Sequence, residues 1–194
     1  EAGPSSRVAA ELLASAPTGR RSHITEVPHV RQSYSWDCGL ACVLMVLRAL
    51  GAMHCDLKAL RRLCPTESIW TVDLAHLMRT FGAHVTFCTI TIGANPEFAR
   101  ESFYKENMEE DGSRVDRLFR RAGEAGIPVR HASLSLAELR GLVLSGKVLI
   151  IILVDKPKLA AAWPGAAETC MQTCCGLAGG YVGHYLVLCG DDGD

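Results

Sequence analysis

From Gln32 to Gly51 the chain reads QSYSWDCGLACVLMVLRALG, and this stretch limits the fold more than any other. Leu40, Val43, Leu44, Leu47 and Leu50 recur at helical spacing and give the segment one apolar face. Such a face has to be buried against other elements, so a packed core around this helix is expected. Asp37 suits the N-cap position, and Gly51 suits the left-handed residue that ends a helix. Cys38 then falls in the first turn, among backbone N–H groups that have no partner inside the helix. Those donors and the positive end of the helix dipole favour thiolate over thiol, so a pKa below the ordinary value of about 8.5 is expected. Gln32, six residues ahead of Cys38, can fold its amide back beside the sulfur. With the Cys38 N–H it would offer two donors to an oxyanion. His184, in GGYVGHYLVLCG near the other end, is a candidate base for the thiol. Cys38, His184 and Gln32 together read as a nucleophile, its base and an oxyanion donor.

Each of these residues has a plainer reading. Cysteine is among the most buried residue types, and this chain has nine, so an average one belongs to the core. Cys38 is set apart by its place at a helix start and by the upstream glutamine. Cys42, one turn further on, reads as packing. His184 alone would be a hydrogen-bonded histidine opening a strand, and only its pairing with Cys38 raises it above that.

With 194 residues, 48% of them hydrophobic, the chain can bury one substantial core. One domain over residues 27–194 is expected, preceded by a disordered tail over residues 1–26 that is rich in Ala, Ser, Gly, Pro and Arg. The formal net charge of −1 leaves no basic stripe for nucleic acid. The longest apolar run, VLIIILV, is far short of the roughly 18 residues of a membrane span. The chain begins with Glu, which suggests a fragment and leaves a removed signal peptide open. An odd number of cysteines without regular spacing fits reduced thiols, hence a cytoplasmic protein, with the nucleus as a second location.

Along the chain, ITEVPHV (Ile24–Val30) reads as extended. Leu57, Leu60 and Leu63 suggest a short helix ended by Pro65. Thr71 is expected to cap a second helix with Val72, Leu74, Leu77, Met78 and Phe81 inward, closed by Gly82. A strand is expected over Ala83–Ile92, then an irregular polar stretch over Gly93–Gly112. A charged helix follows over Arg114–Ala122, and a strand over Ile127–Ala132. Ser135 and Glu138 form a capping box for a helix that Gly146 closes. Val148–Val154 is a β-branched run and reads as a fully buried strand. Residues 155–182 form a long loop, and His184–Cys189 a last strand. Helices precede strands without a regular alternation, which fits an α+β fold better than a parallel α/β one.

WDCGLAC with its apolar helix, SIWTVDLAHLM, ESFY and GHYLVLCG occur in this order between about Val27 and Gly190. In this they resemble the guanylyl cyclase domain-containing protein 1 family, which includes plant proteins described as soluble guanylyl cyclases. A glutamine six residues before DCGxAC is also similar to the double-glycine leader peptidases, and so to the papain-like superfamily. The resemblance implies a papain-like α+β fold, with the helix carrying Cys38 packed on an antiparallel or mixed sheet. It matches Gln32, Cys38 and His184 to the oxyanion glutamine, the nucleophile and the base. Family members continue past GHYLVLCG into an Asn-Pro-Ala or Asp-Pro-Ala segment, where the residue orienting the histidine would lie. The sheet is therefore expected to lack its last strands and to expose an unpaired edge.

Site chemistry and family name point in different directions. The first implies a Cys–His thiol hydrolase acting on a peptide or other acyl substrate, with no cofactor and no metal. The alternative is a guanylyl cyclase that makes cGMP from GTP, with Mg or Mn held by carboxylates. No P-loop pattern and no clear aspartate pair is found for it, and Asp37, Asp73, Asp191 and Asp192 are candidates by residue type alone. A third reading is an inactive interaction module with protein partners. Cys170, Cys174 and Cys175 fit free loop thiols better than a zinc site. Cofactor-binding residues are not identified, and neither nucleic acid nor membrane is an expected partner.

Overall fold

A computed structural model describes residues 21–52, 54–94, 108–162 and 182–193. The elements run in the order β1 (His23–Ile24), α1 (Cys38–Ala49), α2 (Leu57–Leu63), α3 (Thr71–Thr80), β2 (Phe87–Thr89), α4 (Met108–Arg121), β3 (Val129–His131), α5 (Leu136–Leu144), β4 (Ile150–Asp155), α6 (Lys156–Ala162), β5 (Gly183–Leu188) and β6 (Gly190–Asp191). This is a mixed α+β architecture with three small sheets among the described residues.

Four of the five residues of the expected apolar face of α1 are buried; the fifth, Leu50, lies just past the helix and is 61% exposed. Leu40, Val43, Leu44 and Leu47 lose essentially all exposure, and Gly51 ends the helix region at φ 91°. Around α1 gather Leu60 of α2, Leu74, Leu77 and Met78 of α3, and Tyr185 of β5, with Ile151, Leu153 and Val187 packed on this cluster. A second cluster joins Val72 and Ala75 of α3 to Phe87, Val115, Ala122 and Ile127. Helix α3 is thus a shared wall, presenting different faces of its 3.6-residue repeat to the two clusters.

Helix starts follow local chemistry. Asp56 accepts the Ala59 N–H at 2.7 Å and caps α2. Thr71 is the first residue of α3, not its cap. The Asp73 carboxylate instead reaches back to the Trp70 N–H at 2.8 Å. The capping box expected at α5 is present, with the Ser135 N–H on Glu138 Oε2 at 2.7 Å and the Glu138 N–H on Ser135 Oγ at 3.3 Å.

The strands depart further from the sequence reading. β1 lies inside the stretch read as a tail and pairs antiparallel with β6, His23 opposite Asp191. Only Phe87–Thr89 of the expected 83–92 strand is extended. It pairs in parallel with β3, Phe87 opposite Val129, and α4 lies in the crossover that a parallel pair requires. Residues 108–112, read as irregular, belong to α4. β4 and β5 pair antiparallel with Val154 opposite His184 and Asp155 opposite Gly183. All six residues of β4 are half-buried where full burial was expected. With a single paired neighbour among the described residues, and α1 on the face of Ile151 and Leu153, the run is covered on one side only. Part of the expected 155–182 loop is helical, as α6. ESFY and the cysteines at 170, 174 and 175 lie outside the described residues.

Candidate functional site

Cys38 is the first residue of α1 and is 8% exposed. Its neighbour Gly39 lets β5 approach closely, since a Cβ at that position would stand 3.0 Å from Tyr185 Cδ2 and 3.1 Å from Leu74 Cδ1. Tyr185 is fixed at its far end by a 3.0 Å hydrogen bond between its hydroxyl and Thr71 Oγ1. The Tyr185 backbone in turn acts on the Cys38 thiol, favouring its ionised form. The residue that follows His184 therefore packs against the residue that follows the expected nucleophile.

The thiol is not poised as expected. Burial pushes its pKa up, hydrogen bonding to the Tyr185 and Gly39 backbones pulls the other way, and the charge of Asp37 adds to the rise. The helix-start donors are present, but loss of hydration outweighs them, so the resting group is a thiol at neutral pH. Cys42, one turn on, is buried with a pKa pushed up to about 12 by burial and by its neighbour Cys38, which agrees with a packing role.

His184 opens β5 opposite Val154 and is half-buried. Burial, and then the charge of Lys156, holds its pKa below the ordinary histidine value, so it is a neutral imidazole at pH 7. Gln32 donates its side-chain N–H to the Tyr34 carbonyl at 2.7 Å, which commits one of its two amide hydrogens to the loop.

Asp37 occupies the N-cap position without capping the helix. Its fully buried carboxylate faces the preceding loop, accepting the Ser33 N–H at 3.0 Å and the Tyr34 N–H at 2.9 Å. Sequence reasoning gave Asp37 the wrong hydrogen-bond partners and missed Tyr185 altogether. The signal for Tyr185 was Gly39: a glycine in the first turn of an otherwise bulky apolar helix marks a close approach by another element.

The buried carboxylates do not make a magnesium or manganese site. Asp73 and Asp111 are both buried, yet both are salt-bridged to Arg114, Asp111 at 2.8 Å. Asp111 is further bonded by Ser68 Oγ and by Trp70 Nε1, the latter at 3.2 Å. The Arg114 guanidinium already occupies an oxygen of each carboxylate, so the pair does not fit a divalent cation. No group of three or more His, Cys, Asp or Glu side chains suited to a metal occurs among the described residues.

No helix among the described residues is long and apolar enough to cross a membrane. No solved structure matches the chain. A relative from Arabidopsis thaliana, "Guanylyl cyclase 1", is 50% identical over 171 residues, which cover 88% of this chain and 61% of the relative. The chain thus spans about three fifths of that relative's length. The family model described as guanylylate cyclase matches residues 27–194. By that match, which takes in α1 with Cys38 and β5 with His184, the chain belongs to the guanylylate cyclase family.

Proposed function

We propose that the full protein is a guanylyl cyclase that converts GTP to cGMP. The supporting observation is the family match over residues 27–194, joined by half identity to a protein named for that activity. In the reaction the ribose 3′-hydroxyl loses its proton and attacks the α-phosphorus, and pyrophosphate leaves as the P–O bond breaks. Positive groups must meet the charge gathered on the phosphate oxygens. The carboxylates of the described residues do not form a divalent-metal site, so no step is assigned to a metal here. The test is purified full-length protein incubated with GTP and either magnesium or manganese, with cGMP measured by mass spectrometry. Product accumulating in proportion to enzyme is expected, and none above a heat-inactivated control rejects the reading.

A second reading has an observation of its own: β5, the strand that carries His184, packs against the start of α1 at Gly39, next to Cys38. In a papain-like arrangement, neutral His184 takes the Cys38 proton and the sulfur attacks an acyl carbon. The Cys38 N–H and the Gln32 amide meet the oxyanion, and His184 returns the proton to the leaving group. The raised thiol pKa makes the base necessary, because little thiolate exists without it at pH 7. Cys38→Ser separates the two readings. It abolishes acyl transfer and leaves most cGMP formation in place, whereas an interaction module gives neither product before or after substitution.

A further inference from the structure

The loop between Gln32 and Asp37 does more than lead into α1. Beside it opens a cleft of about 460 Å³, lined by Tyr34, Trp36 and Arg61 and by the 64–67 turn that follows α2. That volume is within the range of about 300–1,000 Å³ typical of small-molecule sites. Tyr34 and Trp36 form a stacked pair, with ring centroids 5.6 Å apart and planes 7° from parallel. The Arg61 guanidinium carbon lies 4.9 Å from the centroid of the Tyr34 ring. Arg61 Nε is bonded to the Leu57 carbonyl at 3.2 Å, which fixes the stem and leaves the two terminal nitrogens of the fork for another acceptor.

Tyr34 is 54% exposed, and a large ring standing in solvent on a loop is ordinarily mobile. Here the loop is held from beneath by the buried Asp37 carboxylate on the Ser33 and Tyr34 N–H groups, and by Gln32 on the Tyr34 carbonyl. A buried carboxylate is a costly way to fix a surface turn unless the geometry of that turn matters. At the rim, Glu67 is exposed and has no hydrogen-bond or ion-pair partner among the described residues. The cleft therefore offers the exposed edge of a preorganised aromatic stack, a guanidinium fork for an anion, and a carboxylate that can only accept hydrogen bonds.

We propose that this cleft binds a guanine nucleotide, with the base packed against the exposed edge of the Tyr34–Trp36 stack, Glu67 on its Watson–Crick edge and Arg61 on its phosphates. Guanine carries N1–H and an N2–H side by side, and a carboxylate accepts both at once. Adenine places the lone pair of its N1 at the corresponding point, facing the carboxylate with an acceptor. The residue set thus selects guanine over adenine, as a substrate GTP would require. The assignment rests on the cyclase reading for its biological sense, but it can be tested without turnover.

The experiment titrates full-length protein with GTP, guanosine and ATP by calorimetry, and assays the same preparations for cGMP. The wild type should bind GTP about tenfold or more tightly than ATP, the scale of a charged hydrogen-bond pair. Glu67→Gln should erase that preference, and Arg61→Ala should weaken GTP about tenfold while leaving guanosine little changed. Both residues lie at or near the surface, so their variants should keep the fold, with circular dichroism as the check. Equal binding of GTP and ATP by the wild type overturns the proposal, as does a guanine preference that survives Glu67→Gln. If cGMP forms with a KM for GTP that neither substitution moves, guanine binds elsewhere and the proposal is likewise wrong. Guanine-selective binding that Glu67→Gln removes, without any cGMP, upholds the site and rejects the cyclase reading.

Discussion

At Cys38 two effects of similar origin oppose each other. Its place at a helix start offers N–H donors that favour the thiolate, while the packing of β5 onto α1 removes the water that would stabilise the same charge. Removal of water prevails and the pKa rises. It follows that Cys38 in the resting protein is alkylated by iodoacetamide at pH 7 no faster than the half-buried Cys88. Its rate should climb as pH passes above about 9, where thiolate begins to form. Peptide mapping by mass spectrometry after brief labelling gives the order. If Cys38 is labelled first at neutral pH, the burial argument is wrong and the thiol is already activated. His184 should titrate below the usual histidine midpoint, because both burial and Lys156 disfavour its cation. An imidazole NMR titration measures that midpoint, and a value above about 6.5 contradicts the stated environment.

Among elements, the contact of α1 with β5 and that of α3 with α4 carry the architecture, and each turns on one residue. Gly39→Ala introduces a methyl where Tyr185 and Leu74 already stand, so β5 must move away from α1. A loss of about 1–3 kcal/mol in urea denaturation is expected, the usual range for overpacking. The same shift weakens the Tyr185 hydroxyl bond to Thr71. A variant as stable as the wild type would mean that the two elements are not this close. Between α3 and α4, Arg114 holds Asp73 and Asp111 and also donates to the Ser68 carbonyl at 2.9 Å. Arg114→Met strands two buried carboxylates and should cost about 3 kcal/mol. Arg114→Lys keeps the charge but loses the planar fork, and should fall between.

What the sequence revealed at this scale was whatever depends on neighbours along the chain. The stripe of Leu40, Val43, Leu44 and Leu47, the Ser135–Glu138 box, and the glycines at 51, 82 and 146 with φ of 91°, 79° and 67° are all local features. What it concealed depends on residues far apart. The parallel pairing of Phe87 with Val129, the Asp73–Arg114–Asp111 cluster and the β1–β6 pair join segments separated by some forty residues or more. No local period encodes them. Cys38 and His184 were singled out by position and residue type, whereas the Asp37 carboxylate's partners and the Tyr34–Trp36–Arg61 stack were legible only once the loop had a shape.

Across the whole molecule, the two clusters meet at α3, so neither is expected to melt without the other. The first of them contains four thiols, Cys38, Cys42, Cys55 and Cys64, all with raised pKa values, two of them pushed up to about 12. In the unfolded chain a cysteine releases its proton near its ordinary value, while the folded chain retains it to a higher pH. Between those limits the folded state binds more protons, so stability falls as pH rises. The contribution is whole below about pH 8.5 and declines from there toward pH 12 as Cys42 and Cys64 would ionise on unfolding. Thermal melts in a reducing buffer should therefore show a falling Tm between about pH 8.5 and 10. The double variant Cys42→Ala, Cys64→Ala should start from a lower Tm at pH 7, having lost two packed sulfurs, but decline less steeply over the alkaline range. Parallel slopes for the two proteins would assign the alkaline loss to other groups and would mean that these thiols are less deeply placed than the fold requires.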